Sequence, residues 1–212
     1  MNIFIDVKTT FHTLNADVIS LGAVSEEGDV FYAEVIADYL YTKVGDKQRN
    51  DILPLLSQGP KAIYYRDTRF GTYENIMSSF IHWLRQFDNI QFIGDCCATT
   101  FSKLYYDITQ NCIEHYGSDI WLERFNDLNI CKVPVDINQM IMHTYDISAR
   151  DAYNMNRADI INEYNRLYTN EGYTNHALYD ALVVWAVYSS LSNRNNSDDA
   201  KVKWRRVYDG LK

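Results

Sequence analysis

Residues 2–35 read NIFIDVKTTFHTLNADVISLGAVSEEGDVFYAEV, three apolar segments set apart by polar, turn-forming residues. Asn2–Asp6 alternates as a short strand, Asp17–Val24 forms a second, and Val30–Ile36 a third. Between the last two, Ser25-Glu26-Glu27-Gly28-Asp29 supplies hairpin turn chemistry. Three strands joined by two short connections predict an antiparallel meander.

Downstream the period changes from two to three and four. Residues 37–71 contain Pro54, Gly59 and Pro60 and predict only a short helix around residues 50–57. Thr72 is placed to cap a helix running to Phe87, with Ile76, Met77, Phe80, Trp83, Leu84 and Phe87 along one face. Ile90–Gly94 then reads as a buried strand. A helix follows over residues 98–116, with Phe101, Leu104, Tyr105, Ile108 and Cys112 inward and Gly117 as its stop. Lys132–Val135 reads as a fifth strand, and residues 137–167 as helix interrupted near Ser148. His176–Ser192 is the most apolar helix of the chain. The order predicts an α/β layered fold whose mixed sheet begins antiparallel and is covered by helices.

Composition narrows the function classes. A chain of 212 residues with 47% hydrophobic and 23% charged residues has enough apolar material for one full core. Residues 1–192 are expected to form one domain, and residues 193–212 a basic tail or short helix. There is no run of 18 apolar residues, and the N-terminus reads as a strand rather than a signal peptide. Cysteines at 96, 97, 112 and 131 show no zinc-ligand spacing, so free thiols in an intracellular, cytoplasmic setting are expected. The net charge of −8 argues against coating nucleic acid by electrostatics alone. The charge is uneven, +3 over residues 193–212 and −11 over the remainder.

Two carboxylates stand where a rigid fold places metal ligands or acid–base groups. Asp6 ends the first strand, and Asp180 lies on the late apolar helix. With them, FIDVKTTF followed by VISLGAVSEEGDVFYAEV, and Asn175-His176-Ala177-Leu178-Tyr179-Asp180-Ala181, resemble the RNase AS-like exoribonucleases. These belong to the DEDDh superfamily of 3′–5′ exonucleases. The resemblance implies an RNase H-like fold. It also implies four carboxylates holding two divalent ions, Mg²⁺ or Mn²⁺, about 4 Å apart, with a histidine as general base.

Residue by residue, the family's motif is incomplete. Asp6 matches the first carboxylate, but the second, a Glu two residues on, is Lys8. The middle carboxylate falls at Thr100, and Asp95 lies five residues earlier at a strand end. Asp180 matches the last carboxylate, while Asn175 stands where the base belongs and His176 is one position late. An ammonium at position 8 places fixed positive charge where a divalent ion has to bind. At an effective dielectric near 20, like charges at contact repel by about 4 kcal/mol per unit-charge pair. The same ammonium can serve Asp6 and Asp180 as a built-in counter-ion.

The expectation is therefore a degenerate exonuclease-like protein without metal-dependent cleavage. It would need no metal cofactor and would act by binding a nucleic-acid 3′ end or a protein partner. The alternative is an active 3′–5′ exonuclease in which Asp6, Asp95, Asp180 and His176 hold Mg²⁺ or Mn²⁺ while Lys8 swings away. The segment Lys201-Val202-Lys203-Trp204-Arg205-Arg206 interleaves charge and aromatics as single-strand binding surfaces do. It also fits an amphipathic helix docking Trp204 and Tyr208, four apart, on the core, with Val207 and Leu211 extending the same apolar stripe.

Overall fold

The structure is a computed structural model that describes residues 1–11, 16–36, 43–57, 59, 61–63, 65–95, 97–117, 120–161, 175–192 and 198–211. Six strands form one mixed sheet: β1 (Asn2–Thr9), β2 (Val18–Ser25), β3 (Val30–Val35), β4 (Arg69–Gly71), β5 (Gln91–Gly94) and β6 (Val135–Asp136), in the order β4-β3-β2-β1-β5-β6. The meander is antiparallel through β1, β2 and β3, as the apolar pattern predicts. β5 joins β1 in parallel, and β6 joins β5 in parallel. β4, which the 37–71 stretch conceals, adds a short parallel edge to β3.

Helices cover both faces. On one side lie α2 (Tyr73–Leu84) and α3 (Cys97–Tyr116), and their Ile76, Phe80, Leu104 and Ile108 meet Ile3, Ile5, Leu21 and Phe31 of the sheet. On the other lie α5 (Ile137–Tyr145), α6 (Ala149–Asn154), α7 (Arg157–Ile160), α8 (Ala177–Ser192) and α9 (Asp198–Tyr208). These pack on Phe4, Val24 and Tyr32. Coverage on both sides explains why every residue of β2 is buried. The remaining short helices are α1 (Asp46–Asp51), continued by a 3₁₀ turn at Leu53–Leu55, and α4 (Trp121–Asn126).

Local chemistry sets the boundaries. Thr72 caps α2 by accepting from the Asn75 N–H, and Asp136 caps α5 by accepting from the Asn138 N–H. The predicted break near Ser148 is real: Ser148 caps α6, and Asn156 caps α7. The stretch expected as one interrupted helix is therefore three short helices up to residue 160, and its end at 162–167 lies outside the described residues. The strand predicted over Lys132–Val135 lies instead at Val135–Asp136 and stays two residues long because Asp136 turns the chain into α5. Gly117 ends α3 at φ +77°, a conformation that favours glycine.

Residues 198–211 belong to the same core as the sheet. Trp204, Val207 and Leu211 are buried on the α8 side, and the Trp204 indole N–H donates to the Leu182 carbonyl at 3.1 Å. Among the described residues no helix is long and apolar enough to cross a membrane.

Gly22 fixes how closely α8 approaches the sheet. A Cβ at position 22 would lie 2.4 Å from the Ala177 carbonyl carbon and 2.4 Å from the Leu178 nitrogen, both backbone atoms that cannot rotate away. Gly22→Ala is therefore expected to destabilise by about 3 kcal/mol or more, since the helix must lift and leave voids. Gly117→Asn, in open space, should cost well under half of that. Urea unfolding of the two variants checks this, and a Gly22→Ala loss below about 1 kcal/mol would contradict it.

Candidate functional site

Strand alternation puts Phe4, Asp6 and Lys8 on one face of β1, and register places Asp6 opposite Gly22 and Lys8 opposite Ser20. Because α8 starts directly over Gly22, Asp180 in its first turn comes down on the same spot. The Lys8 ammonium bridges the two acids. Its Nζ lies 2.9 Å from Asp6 Oδ2 and donates a hydrogen bond to Asp180 Oδ2. The Lys8, Asp6 and Asp180 side chains are 15%, 13% and 25% exposed, so the cluster is largely shielded from water. Asp6 Oδ2 has the ammonium's charge beside it but no well-aligned hydrogen bond.

Burial alone pulls the Lys8 ammonium down, but the charges of Asp180 and Asp6 and the hydrogen bond to Asp180 overcome it and hold the group well above the usual lysine range. Burial pushes the Asp180 carboxyl up, to about 6; Lys8 opposes this, and the like charges of Asp6 and Asp95 add to it. The Lys8 direction follows from one ammonium shared by two carboxylates, whereas the Asp180 direction follows first from burial, which that ammonium only partly offsets. The cation is strongly favoured, and one negative charge is left uncompensated.

The other predicted residues are placed differently. Asp95, at the end of β5, is close enough for its charge to act on Asp180, but it is held from the other side. Asn138 Nδ2 donates to Asp95 Oδ1 at 2.5 Å, and Arg157 Nη2 donates to Asp95 Oδ2 at 3.1 Å. Arg157 is itself buried, and its Nη2 also donates to Asn138 Oδ1 at 2.6 Å while its Nη1 donates to the Ala152 carbonyl at 2.9 Å. Asp95 thus ties α5 and α7 to the sheet. Thr100 lies in the first turn of α3. Asn175 takes φ +76° in the turn before α8, a left-handed geometry that asparagine tolerates better than most residues.

His176 serves the start of α8. Its Nδ1 accepts from the Tyr179 N–H at 3.4 Å, and its ring packs on Tyr32 with centroids 4.6 Å apart. Burial and the nearby Lys8 charge push it down to about 3, so it is neutral at physiological pH. Tyr32 in turn donates to Glu34 Oε1 at 2.7 Å, and the Ser57 N–H and hydroxyl also donate to that carboxylate.

In α9, Trp204 is committed to the core and stacked on Tyr208, and Lys203 pairs with Glu27 at 2.5 Å. Lys201 is half-buried, whereas Arg205 and Arg206 are exposed. The interleaved aromatic is therefore turned away from any strand the basic side chains could meet. Cys96, at the strand-to-helix junction, lies outside the described residues.

The divalent ions that the exonuclease resemblance implies do not fit this arrangement. The ammonium stands between the two carboxylates that would be their first ligands, and Asp95 is engaged by Arg157. Among the described residues no three His, Cys, Asp or Glu side chains converge as a cation site. Sequence reasoning missed Arg157 and Asn138, which lie 62 and 43 residues from Asp95 with no motif to link them. Gly22 did carry a signal, since a glycine inside an apolar strand marks close backbone approach. No protein-family model and no curated protein matches the chain.

Two predictions follow from the charges. Lys8→Met keeps the stem but leaves Asp6 and Asp180 as adjacent like charges. It should destabilise by about 2–3 kcal/mol at pH 7, a buried-pair cost reduced for partial exposure, and by less at pH 5, where Asp180 takes up a proton. Urea unfolding at both pH values tests it, and a neutral effect at pH 7 would refute the bridge.

His176, depressed from 6.5 to about 3, favours the fold fully above pH 6.5 and loses that contribution as pH falls toward 3. Asp180, raised from 3.8 to about 6, acts in the opposite sense, its burden easing as pH falls from 6 to 3.8. The histidine window is wider, so acidification should destabilise the wild type. His176→Asn, which can still cap the helix, should flatten or reverse that slope. Titration near 6.5 of the His176 ring resonance, identified by its loss in His176→Asn, would show the assignment to be wrong.

Proposed function

We propose that this protein is a non-catalytic relative of the DEDDh exonucleases that works by binding a partner. The observation that carries the reading is the Lys8 ammonium seated between Asp6 and Asp180, at the position where the family's motif has its second carboxylate. The strand arrangement supports the RNase H-like part. A three-stranded antiparallel meander has its first strand inside the sheet, flanked by two parallel strands on the far side. His176 supports the loss of catalysis, because an imidazole buried on Tyr32 and held neutral down to about pH 3 is a poor base for an attacking water.

Of the two partner classes, a protein is favoured over nucleic acid. The basic, aromatic segment near the C-terminus spends Trp204 on the core and Lys203 on Glu27, and the chain's net charge is −8. Exposed apolar side chains support the same choice. Tyr106 on α3 rims a shallow groove of about 360 Å³ lined also by Phe101, Ser102, Tyr105 and Thr109, and Leu122 is exposed on α4.

The test is incubation of 5′-labelled RNA and DNA oligonucleotides with Mg²⁺ or Mn²⁺, using wild type beside an Asp6→Ala, Asp180→Ala double variant. No cleavage by either, with wild type melting cooperatively, is the expected result. A ladder growing from the 3′ end with wild type alone would overturn the reading and establish the active alternative with Asp6, Asp95, Asp180 and His176. Saturable, salt-dependent oligonucleotide binding without turnover would instead move the partner from protein to nucleic acid.

A further inference from the structure

We propose that the partner presents an acidic peptide segment, received by Arg85 and Arg124 where both meet Tyr116. This rests on the functional reading above only in taking the partner to be a protein. Arg85 ends α2 just before the chain enters β5, so the place lies at the opposite end of the sheet from Asp95 and the Lys8 cluster. Its Nη2 donates to the Tyr116 hydroxyl at 2.7 Å, and its Cζ is 5.9 Å from the ring centroid. Arg124 of α4 brings its own Cζ to 5.9 Å from the same centroid. Two guanidinium groups thus share one half-buried phenol at the end of α3.

The charge at this place is unbalanced. Among the described residues the side-chain partner of Arg85 is the neutral phenol, not a carboxylate. Arg124 has Asp127 at 3.3 Å, but both side chains are about half exposed, and water screens such a pair. The carbonyl ends of α2 and α3 favour cations here, so the two arginines are gathered before any ligand arrives. On a chain of net charge −8, an acidic segment needs a local positive patch of this kind to approach. Carboxylates on alternate residues of an extended peptide lie about 7 Å apart, the scale on which two guanidinium groups on one ring are separated. A peptide is favoured over a bare anion because Ile120 is exposed on the same face of α4. It stands one turn before Arg124, and its carbonyl accepts from the Arg124 N–H at 3.1 Å, so an apolar side chain of the peptide has a seat beside the charges.

The experiment is fluorescence anisotropy on the full chain with a fluorescein-labelled peptide that repeats Glu-Leu-Glu-Glu, beside one that repeats Gln-Leu-Gln-Gln. Wild type is compared with Arg85→Gln, Arg124→Gln, the two combined, and Arg205→Gln combined with Arg206→Gln, a pair of exposed arginines on α9. The expected result is saturable binding of the acidic peptide alone, weakened about threefold to fivefold by each single variant and about tenfold or more by the Arg85, Arg124 pair. Added salt should weaken wild-type binding in the same way. Equal loss with the α9 pair would show general charge attraction and overturn the proposal, as would equal binding of the glutamine peptide. No binding of either peptide refutes the proposal and leaves the non-catalytic reading standing. Binding of a labelled single-stranded oligonucleotide, lost with the Arg85, Arg124 pair while the acidic peptide does not bind, would refute both the proposal and the preference for a protein partner. Both arginines are exposed, so the variants should melt with wild type; should Arg85→Gln not fold, Arg124→Gln and the salt series decide.

Discussion

The contact between Gly22 and the first turn of α8 sets the height of the whole α8 layer above the sheet. Backbone meets backbone there, with no side chain between them. Everything that makes the upper face chemically distinctive follows from that proximity. Asp180 reaches Lys8 because the helix is low, and His176 packs on Tyr32 because the helix begins over the neighbouring strand. Burial of α8 is nearly complete around its circumference, which matches a sequence apolar on almost every side. A helix of that kind cannot shift outward without exposing Leu178, Leu182 and Trp185, so the ion pair and the packing reinforce one another.

The protein spends several of its cations on its own acids in shielded places. Lys8 serves Asp6 and Asp180, Arg157 serves Asp95, and Lys103 serves Asp107 at 2.8 Å one turn along α3. A shielded pair of this type adds little over a well-packed apolar pair, yet losing one partner strands a charge and is costly. Such pairs therefore specify geometry more than they add stability. In this chain they tie β1 to α8 and β5 to α5 and α7, which places a fixed positive charge at the strand end where the resembled family would need a metal.

The fate of the C-terminal basic stretch shows the same economy of placement. As a linear segment it has the composition of a strand-binding surface, but on a helix its residues separate by angle. Trp204 and Val207 point inward, and Arg205 and Arg206 point outward. Composition cannot distinguish these uses because both employ the same residues. The indole hydrogen bond to Leu182 and the stack on Tyr208 decide between them.

Local periodicity by itself determined the meander, the two long helices on one face, the apolar α8, the stop at Gly117 and the break near Ser148. These depend on neighbours three or four residues apart, and their signals survive in a single chain. It was silent on β4, a three-residue edge strand with two exposed residues, which has no apolar pattern to read. For the site, the sequence alone named Asp6, Lys8, Asp180 and His176 and made Lys8 a counter-ion. Only the tertiary structure decided that one ammonium is shared by both acids, that Asp95 belongs to Arg157, and that His176 is sealed against Tyr32. Charge pairing acts through space, here between Lys8 and Asp180, 172 positions apart. No spacing rule along the chain encodes it; the close approach of a helix to a glycine does.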